Sequence, residues 1–525
     1  MKVRVVVIGG GATGAGVFLA LTRRGVETLL VEKRDLSSGT TSRSTRLIHG
    51  GIRYLENLDF GLVFEALRER AWVAETFPHL LRPLKIHIPL YRDGGRSPLI
   101  VGAGVKLYDL LAGRGKIAPS EVYLTPSSVP DEVEVKREGL KGLFTFTDYQ
   151  ILLPERMVLE GVRAGVALGG SYLSRSEVTG GEVRGDSVLL KIRTPAGMMD
   201  VEAEAVVVAA GPWGDGVRKL FGLGGRLIRP SKGTHLELPP IVERAYFVES
   251  GRDGRLFFIL PFLGHTLVGT TDTEYTGVPD AVRPTAEEVE YLVEGLKKVL
   301  PGRRGDAPIL GAFSGVRPLI DVPGREESRI SRRHRVVVEE GRVVTVVGGK
   351  LTTWRKMGED CVRKVLPILG ERNSAPLSPH FPSAGVEREE VITLLKERYH
   401  LSGETAEVFF SLYGGEAEEV IREGGSDASL KSAVFAETGE TPLNLVRAFT
   451  HEFAHTLGDA VLRRMLLGKT PGRGRRYRKE FVRILVSFLG MGEGEARDMV
   501  DEFEEEVRRT FPGPDDLLRQ GESVK

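Results

Sequence analysis

Residues 2–14 read KVRVVVIGGGATG, and this stretch decides the fold of the N-terminal part of the chain. The valine-rich residues 2–8 predict a buried strand, and three glycines follow it in a Gly-x-Gly-x-x-Gly pattern. A helical pattern covers residues 12–24, and a second apolar strand is predicted over residues 27–31. Strand, glycine-rich turn, helix and strand together form the βαβ unit in which a dinucleotide rests on the helix N-terminus.

The three glycines and one acidic residue suit that role. Gly9 allows the tight turn, Gly11 lets the backbone approach the pyrophosphate, and Gly14 lets the helix pack closely on the strand. Glu32 stands at the end of the second strand, where a carboxylate accepts hydrogen bonds from the adenosine ribose. The pattern predicts a dinucleotide site without separating FAD from NAD, and a glycine turn without a nucleotide is the alternative.

Bulk composition excludes several classes of function. The 525 residues are 41% hydrophobic and 28% charged with a net charge of +1, which argues for a globular chain and against a nucleic acid partner. The single cysteine, Cys361, excludes an intramolecular disulfide framework and a cysteine-ligated iron–sulfur cluster within this chain. Two Gln and three Asn stand beside 73 Lys+Arg and 72 Asp+Glu, a composition typical of a thermophile.

The sequence has neither a secretory nor a membrane-spanning pattern. The N-terminus runs directly into a strand pattern, and no apolar run reaches the roughly 18 residues that a spanning helix needs. Within residues 96–116, apolar PLIVGAGVKLYDLLAG is flanked by basic residues, which is compatible with a membrane-facing patch or with a buried amphipathic element. We expect a cytoplasmic protein, either free or peripheral on the inner face of the cell membrane.

Residues 40–56, TTSRSTRLIHGGIRYLE, resemble the FAD-dependent glycerol-3-phosphate dehydrogenase family, in which a Ser/Thr-rich stretch leads into LIHGGxRYLE. Further matches follow in family order to about residue 360, and TLGDAVLRR (456–464) resembles the family more loosely. The ordered matches are VVVAAGPWG (206–214), SKGTH (231–235), VGTTDTEYTG (268–277), SGVRPL (314–319), ISR (330–332) and VVGGKLTTWRKMGED (346–360).

The resemblance implies FAD as the cofactor and assigns a set of flavin contacts. One part of this set also has a physical rationale, because a helix is predicted after Gly348-Gly349 and its positive N-terminus, with Lys350, would stabilise the negative charge of reduced flavin. A plain glycine turn is the alternative there. The implied contacts are Gly9, Gly11, Gly14, Glu32, Thr40, Thr41, Ser42, His49, Gly50, Gly51, Gly211, Trp213, Gly349, Lys350, Leu351 and Thr352.

The resemblance also implies the substrate, sn-glycerol 3-phosphate, which is oxidised to dihydroxyacetone phosphate. A phosphate dianion needs cations, and arginine suits it because its planar fork donates two hydrogen bonds at once. The family match gives Arg317 and Arg332 as substrate-binding arginines, with Arg53 and Tyr54 beside the flavin and Thr270 as a further contact. Because Arg333 and Arg335 follow closely, the Arg332 assignment depends on the register.

The chemistry implied is hydride transfer from C2 of the substrate to N5 of the flavin, with the hydroxyl proton taken by a base. His235 in SKGTH is the first candidate for this base and His49 is the second, because the ordinary pKa of histidine lies near physiological pH. Each of them could instead be a hydrogen-bonding or packing residue. Lys350 is a further candidate, which would polarise the hydroxyl. Electrons would pass to a quinone, to oxygen or to a partner subunit.

We predict an α/β fold, α+β overall, made of a Rossmann-type FAD-binding domain, an antiparallel-sheet substrate domain and a C-terminal helical domain. Valine-rich runs far apart in sequence are candidates for later strands of the first sheet, so the FAD-binding domain is expected to be discontinuous. We also expect a homo-oligomer. The predicted segments are 1–95, 150–230 and 310–372 for the FAD-binding domain, 96–149 and 231–309 for the cap, 373–385 for a linker and 386–525 for the helical domain.

A rival function rests on residues 451–455, HEFAH. On a helix this spacing places two histidines one turn apart, with a glutamate that can activate water, as in zinc metalloproteases. The extended form of the motif needs a third histidine where this chain has Val461, and Glu480 or Glu493 are only distant substitutes. Since the segment overlaps TLGDAVLRR, we predict a structural helix without a metal.

Two other hypotheses for the function remain. An amine or hydroxy-acid oxidoreductase of the same flavin superfamily would share the dinucleotide pattern, but its substrate carries a carboxylate that a single arginine can bind. A flavin-holding assembly subunit would bind FAD without turning over a substrate.

Overall fold

The valine-rich runs of the sequence form the parallel centre of the first sheet. The structure is a computed structural model that describes residues 1–322, 333–372 and 375–513. Residues 2–8 pair in parallel with residues 28–31 and 197–208, residues 197–208 pair in parallel with residues 343–348, and residues 28–31 pair in parallel with residues 171–173. This sheet contains β1 (Lys2–Ile8), β2 (Thr28–Val31), β7 (Ser171–Leu173), β8 (Glu177–Arg184), β9 (Ser187–Thr194), β10 (Gly197–Val208), β17 (His334–Glu339) and β18 (Val343–Gly348).

The sheet draws its strands from distant parts of the chain. Val206 of β10 faces Val6 of β1 on one side and Val343 of β18 on the other, although the three strands are far apart in sequence. All three valines are fully buried, which explains why these strands read as continuous apolar runs rather than as alternating ones.

A second sheet, almost entirely antiparallel, forms the cap. Three of its strands, 47–48, 81–91 and 311–320, come from segments that the sequence assigned to the FAD-binding part. Residues 311–320 pair with residues 228–238 along their length. The limits 1–95, 150–230 and 310–372 for the FAD-binding domain, and 96–149 and 231–309 for the cap, therefore stay a prediction. The strands are β3 (Leu47–Ile48), β4 (Leu81–Tyr91), β5 (Glu121–Tyr123), β6 (Leu140–Ile151), β11 (Ile228–Leu238), β12 (Ala245–Glu249), β13 (Leu256–Phe262), β14 (His265–Gly269), β15 (Thr273–Glu274) and β16 (Gly311–Ile320).

Helices cover both sheets. The helices α1 (Ala12–Thr22), α4 (Pro154–Ala167) and α7 (Trp354–Ile368) contribute to the buried apolar cluster on one face of the first sheet. The helix α6 (Ala286–Val299) begins at the side-chain cap of Thr285 and packs on the cap sheet. Three further helices of this part of the chain are α2 (Phe60–Thr76), α3 (Pro98–Ala112) and α5 (Gly214–Lys219).

The region after residue 386 is helical, as predicted. It is joined to both sheets by buried ion pairs, among them Arg464 with Asp35 at 2.7 Å and Arg473 with Glu237 at 2.6 Å. Among the described residues, none of the helices combines the length and the apolar character that crossing a bilayer requires. The helices are α8 (Arg388–Tyr399), α9 (Gly403–Tyr413), α10 (Ala417–Glu423), α11 (Ala428–Lys431), α12 (Pro442–His451), α13 (Leu457–Arg464), α14 (Arg478–Leu489) and α15 (Glu493–Thr510).

Candidate active site

A cavity of about 770 Å³ extends from the glycine-rich turn after β1 to the cap sheet. It brings together nearly all of the residues that the sequence assigned to the cofactor and the substrate. The predicted residues that line it are Gly9, Gly11, Glu32, Thr40, Thr41, His49, Gly51, Arg53, Tyr54, Gly211, Trp213, His235, Thr270, Arg317, Gly349, Lys350, Leu351 and Thr352.

Three predicted residues lie behind the wall, and one lies outside the described residues. The backbone N–H of Gly50 donates to the Tyr108 hydroxyl at 2.8 Å, and the hydroxyl of Ser42 donates to the Ser37 carbonyl at 2.6 Å. Gly14 makes the closest approach, since a Cβ added to it would fall 1.7 Å from the carbonyl oxygen of Gly9. Arg332 belongs to residues 323–332, which the structure does not describe.

The glycine-rich turn forms a cradle for a phosphate group. Gly9 has a φ of +112°, a conformation open to glycine, and Gly11 stands at the N-cap of α1. A Cβ added to Gly11 would meet only the Thr41 hydroxyl oxygen, at 3.5 Å, so space remains in front of the helix. The N–H of Ala12 donates to that same hydroxyl at 3.2 Å. The N-terminus of α1, with its partial positive charge, therefore opens onto the cavity.

Glu32 stands at the far end of the cradle. Its carboxylate accepts hydrogen bonds from the backbone N–H groups of Gly10 at 2.7 Å and Arg34 at 2.8 Å. Burial raises the pKa of this carboxyl, and the two backbone hydrogen bonds oppose that rise. The carboxylate is thus fixed beside the glycine turn, at the place where an adenosine ribose is held in this kind of unit.

The opposite wall of the cavity comes from the turn after β18. Gly349 has a φ of +93°, and the helix α7 begins at Trp354 after a single 3₁₀ turn, as the sequence predicted. The ammonium of Lys350 lies 3.9 Å from the centre of the Tyr54 ring. This cation–π contact brings two predicted residues from distant motifs together in the cavity.

His49 is held by its backbone and is neutral. The Thr352 hydroxyl accepts from the His49 N–H at 3.2 Å and donates to its carbonyl at 3.3 Å. Burial lowers the pKa of His49 to about 3, with further lowering by Lys350 and Arg70. A buried hydrogen-bonded group supports this segment at the neighbouring Gly50, and the sequence did not reveal it. Tyr108 and Arg70 both donate to the Asp148 carboxylate, and the Gly50 N–H donates to the Tyr108 hydroxyl.

His235 lies on β11, opposite Phe313 of β16. The two rings are stacked, with centres 4.9 Å apart and planes 14° apart. The Nε2 atom of His235 is 3.0 Å from the Thr45 hydroxyl oxygen, whereas the buried Nδ1 atom has no hydrogen-bond partner among the described residues. Burial lowers the pKa of His235 well below its usual value, followed by the effects of Arg317 and Arg46, so the ring is neutral and one nitrogen can accept a proton.

Two arginines are attached to the same short segment of the cap. Arg317 donates to the Thr270 hydroxyl at 2.8 Å and to the Thr271 carbonyl at 3.2 Å, and its Nη1 lies 3.4 Å from an Asp272 carboxylate oxygen. Arg255 donates to the carbonyl of Asp272 and also lines the cavity. Sequence reasoning missed Arg255, because an arginine at the start of a strand reads as an ordinary surface charge; only its pairing to Asp272 distinguishes it.

The HEFAH segment lacks the geometry of the rival metalloprotease hypothesis, and the continuous helix predicted for it is interrupted. The helix α12 ends at His451, so the HExxH residues do not lie on one helix and His455 does not stand one turn away. The Glu452 carboxylate is buried in an ion pair with Arg156 at 2.7 Å, and His455 hydrogen-bonds to Ser174 at 2.8 Å. A glutamate that neutralises a buried arginine is not available to activate water.

Comparison with known proteins agrees with this arrangement. Residues 4–353 match the family described as FAD dependent oxidoreductase. The chain is 34% identical over 488 residues to a glycerol-3-phosphate dehydrogenase of Synechocystis sp., with 88% of each chain covered. It is 31% identical over 490 residues to an aerobic glycerol-3-phosphate dehydrogenase of Staphylococcus saprophyticus, covering 88% of this chain and 86% of that one. The chain belongs to the FAD-dependent glycerol-3-phosphate dehydrogenase family.

Solved structures share the fold. The glycerol-3-phosphate dehydrogenase from Bacillus halodurans, solved in complex with FAD, has a TM-score of 0.74 at 24% identity and covers 97% of this chain and 95% of its own. Glycine oxidase from Geobacillus kaustophilus has a TM-score of 0.54 at 19% identity and covers 72% of this chain and 99% of its own.

FAD is the cofactor of this family member, and the cavity fits it. The open space before Gly11 and the N-terminus of α1 suit the pyrophosphate, and Glu32 suits the ribose. Lys350 and the N-terminal end of α7 supply positive charge at the other wall.

Proposed function

We propose that this enzyme oxidises sn-glycerol 3-phosphate to dihydroxyacetone phosphate and passes the electrons to a membrane quinone. The proposal is supported by the relatives of at least 31% identity that are named glycerol-3-phosphate dehydrogenase over nearly their whole length. The observation that carries it is that a neutral buried histidine, His235, and a fixed arginine, Arg317, line the same cavity as the FAD cradle.

The arginines provide the phosphate site in this proposal. Arg317 is fixed by Thr270 and by the Thr271 carbonyl, so its orientation is set before the substrate enters. Arg255 supplies a second guanidinium attached to the neighbouring Asp272 carbonyl. A pair of charged forks suits a dianion, whereas one fork suffices for a carboxylate. Arg53 and Tyr54 are proposed as further contacts on the flavin side of the cavity.

His235 is the proposed base. In this proposal the neutral His235 ring takes the proton of the substrate hydroxyl, and the Thr45 hydroxyl, 3.0 Å from Nε2, orients the ring. Stacking on Phe313 holds the ring in one plane. When bound, FAD supplies the acceptor for the hydride that leaves C2. Lys350 keeps its alternative role, polarising the same hydroxyl, and His49 is the second candidate for the base.

A substrate panel separates this proposal from its nearest alternative. The purified holoenzyme would be assayed with an artificial electron acceptor and glycerol 3-phosphate, glycerol, lactate or glycine as the substrate. We expect turnover with glycerol 3-phosphate, and glycerol without a phosphate should be at least about a hundredfold poorer, since it cannot pair with the arginines. Comparable turnover with glycine or lactate would favour the amine or hydroxy-acid oxidoreductase.

An exposed apolar patch favours a membrane quinone over oxygen as the acceptor. The exposed side chains of Leu58 and Phe60 follow shortly after Arg53 and Tyr54, which line the cavity. On α3 the side chains are strongly exposed: Leu99 by 74%, Ile100 by 70% and Leu110 by 76%. We propose that these side chains, on and before two helices that contact each other, form one surface, the α2–α3 apolar patch, made of Leu58, Phe60, Phe64, Leu99, Ile100 and Leu110.

Basic side chains accompany this patch. Lys106, Arg114 and Lys116 on and after α3 are exposed, and the Arg68 guanidinium lies 5.9 Å from the centre of the Phe64 ring. Apolar side chains flanked by basic ones bind an anionic lipid surface, with the apolar groups in the acyl boundary and the cations at the headgroups. The patch thus supports a peripheral contact with the membrane, where a quinone is dissolved.

Vesicle binding tests this part of the proposal. The double variant Leu99→Ser/Ile100→Ser should lose most of the sedimentation with anionic lipid vesicles and most of the quinone reduction in them, while activity with a soluble dye is kept. Met198→Ser is the control, because Met198 is 63% exposed on a hairpin of the first sheet, outside the patch. Stoichiometric hydrogen peroxide with oxygen, and no quinone reduction, would favour an oxidase.

A further inference from the structure

The last described residues of the chain contact the strand β16, whose Phe313 ring supports His235. After α15 ends at Thr510, the carbonyl of Pro512 accepts a hydrogen bond at 3.2 Å from the N–H of Ala312 on β16. Ala312 precedes Phe313, whose ring supports His235. The C-terminal segment is therefore attached to the strand that carries the platform of the candidate base.

Phe511 completes an aromatic series that begins at His235. Its ring meets the Phe313 ring edge to face, with centres 6.1 Å apart and planes 70° apart. The Phe313 ring therefore contacts both the stacked His235 ring and the Phe511 ring. Phe511 packs both on the apolar cluster of the C-terminal helices and on that of the cap sheet.

Arg473 fixes this end of the series. Its guanidinium carbon lies 4.2 Å from the centre of the Phe511 ring, and its Nη2 donates to the Glu237 carboxylate at 2.6 Å. Glu237 is two residues after His235 on β11, so both side chains lie on the same face of that strand. Arg473 and Glu237 are both buried, and such a pair with a cation–π contact allows few alternative arrangements.

We propose that Phe511 and Arg473 are positioning residues for substrate oxidation, because they hold Phe313 and, through it, the plane of the His235 ring. The assignment of His235 to the oxidation step rests on the proposed function. The helical region after residue 386 is then part of the catalytic apparatus rather than only a cover. Without Phe511, the Phe313 ring loses a packing partner and the His235 ring loses its fixed support.

The first test is the rate of flavin reduction in holoenzyme variants. Phe511→Ala should lower the limiting rate with glycerol 3-phosphate about ten- to a hundredfold, because a misplaced catalytic group slows the chemical step. The substrate concentration at half-maximal rate should change by less than about threefold, since Arg317 and Arg255 are untouched. Phe511→Tyr keeps the ring and should restore the rate, and Phe511→Leu should lie between the two.

A matched control separates positioning from general stability. Phe503 is buried on the same helix α15 and meets Phe481 at 5.8 Å within the helical cluster. Phe503→Leu should lower the melting temperature without slowing flavin reduction. Equal slowing by Phe503→Leu, or a limiting rate within about twofold of wild type in Phe511→Ala, would overturn the proposal.

A second readout needs no substrate. The rate at which diethylpyrocarbonate modifies His235 in the holoenzyme, measured by peptide mass spectrometry, should rise severalfold in Phe511→Ala and stay unchanged in Phe503→Leu. An unchanged rate in Phe511→Ala would overturn the positioning role. If wild-type flavin is not reduced by glycerol 3-phosphate, the proposed function fails, whereas the modification rates still decide whether Phe511 positions His235.

Discussion

Arg255 and Arg317 both hydrogen-bond to Asp272, although Arg255 immediately precedes one strand of the cap sheet and Arg317 lies on another. Arg255, immediately before β13, donates to the Asp272 carbonyl, and Arg317, on β16, lies 3.4 Å from its carboxylate. Because each guanidinium keeps a full positive charge, the two can act on one dianion.

Removal of either arginine should weaken substrate binding. We expect Arg255→Gln and Arg317→Gln each to raise the KM for glycerol 3-phosphate about ten- to a hundredfold, the effect of losing one charged hydrogen-bonding partner. Inorganic phosphate should also become a weaker competitive inhibitor in both variants. Arg252→Gln is the control, since Arg252 lies in the same turn as Arg255 and pairs with the exposed Glu294 of α6. Normal kinetics in Arg317→Gln would count against the phosphate site.

The activity should not follow the titration of an ordinary histidine. Burial lowers the pKa of His235 well below its usual 6.5, so the ring stays neutral and able to accept a proton as the pH falls through 6.5. An exposed histidine base would become half protonated there and lose activity. We therefore expect the limiting rate of flavin reduction at saturating substrate to stay level across pH 6.5. An acid limb centred near 6.5 would contradict the burial of the base.

The turn after β1 should not tolerate a side chain at Gly14. A Cβ there would fall 1.7 Å from the Gly9 carbonyl oxygen, so Gly14→Ala must displace the turn that cradles FAD. We expect the purified variant to have lost most of its flavin absorbance. Gly104→Ala is the matched control: Gly104 lies within α3 and a Cβ there meets no atom within 4 Å, so its flavin content should equal that of wild type.

Glu452 should behave as a structural residue. Glu452→Gln leaves Arg156 without its charged partner in a buried site, which should lower the free energy of unfolding by about 3 kcal/mol. Glu182→Gln, which removes an exposed pair with Arg184, should leave it nearly unchanged. Denaturant unfolding measures both. Loss of activity on treatment with a chelator, with stoichiometric zinc released, would instead support the metalloprotease hypothesis.

The first sheet was predictable from local patterns, and the pairing of the cap sheet was not. The valine runs of β1, β10 and β18 are buried on both faces, and such strands leave a clear apolar signal. The strand of residues 311–320 gave no comparable signal for its partner. Its pairing with β11 depends on contacts between residues some 80 positions apart, as between Phe313 and His235, whose register no local pattern encodes.

The candidate site was likewise only partly predictable from the sequence. Motif resemblance named His235 and Arg317, because both stand in recognisable strings. Arg255 and Phe511 stand in none, and only the folded chain places Arg255 on Asp272 and Phe511 against Phe313. The HEFAH segment was misread as continuous helix for a related reason, since the capping box at Thr456 starts a new helix that the periodicity did not separate from α12.

The central claim is tested most directly by anaerobic titration of the purified holoenzyme with glycerol 3-phosphate, with the flavin absorbance near 450 nm as the readout. We expect the oxidised band to bleach, with dihydroxyacetone phosphate formed in equal amount to the flavin reduced, and Arg317→Gln to require a much higher substrate concentration. Flavin that stays oxidised with glycerol 3-phosphate, yet bleaches with dithionite, would contradict the assignment.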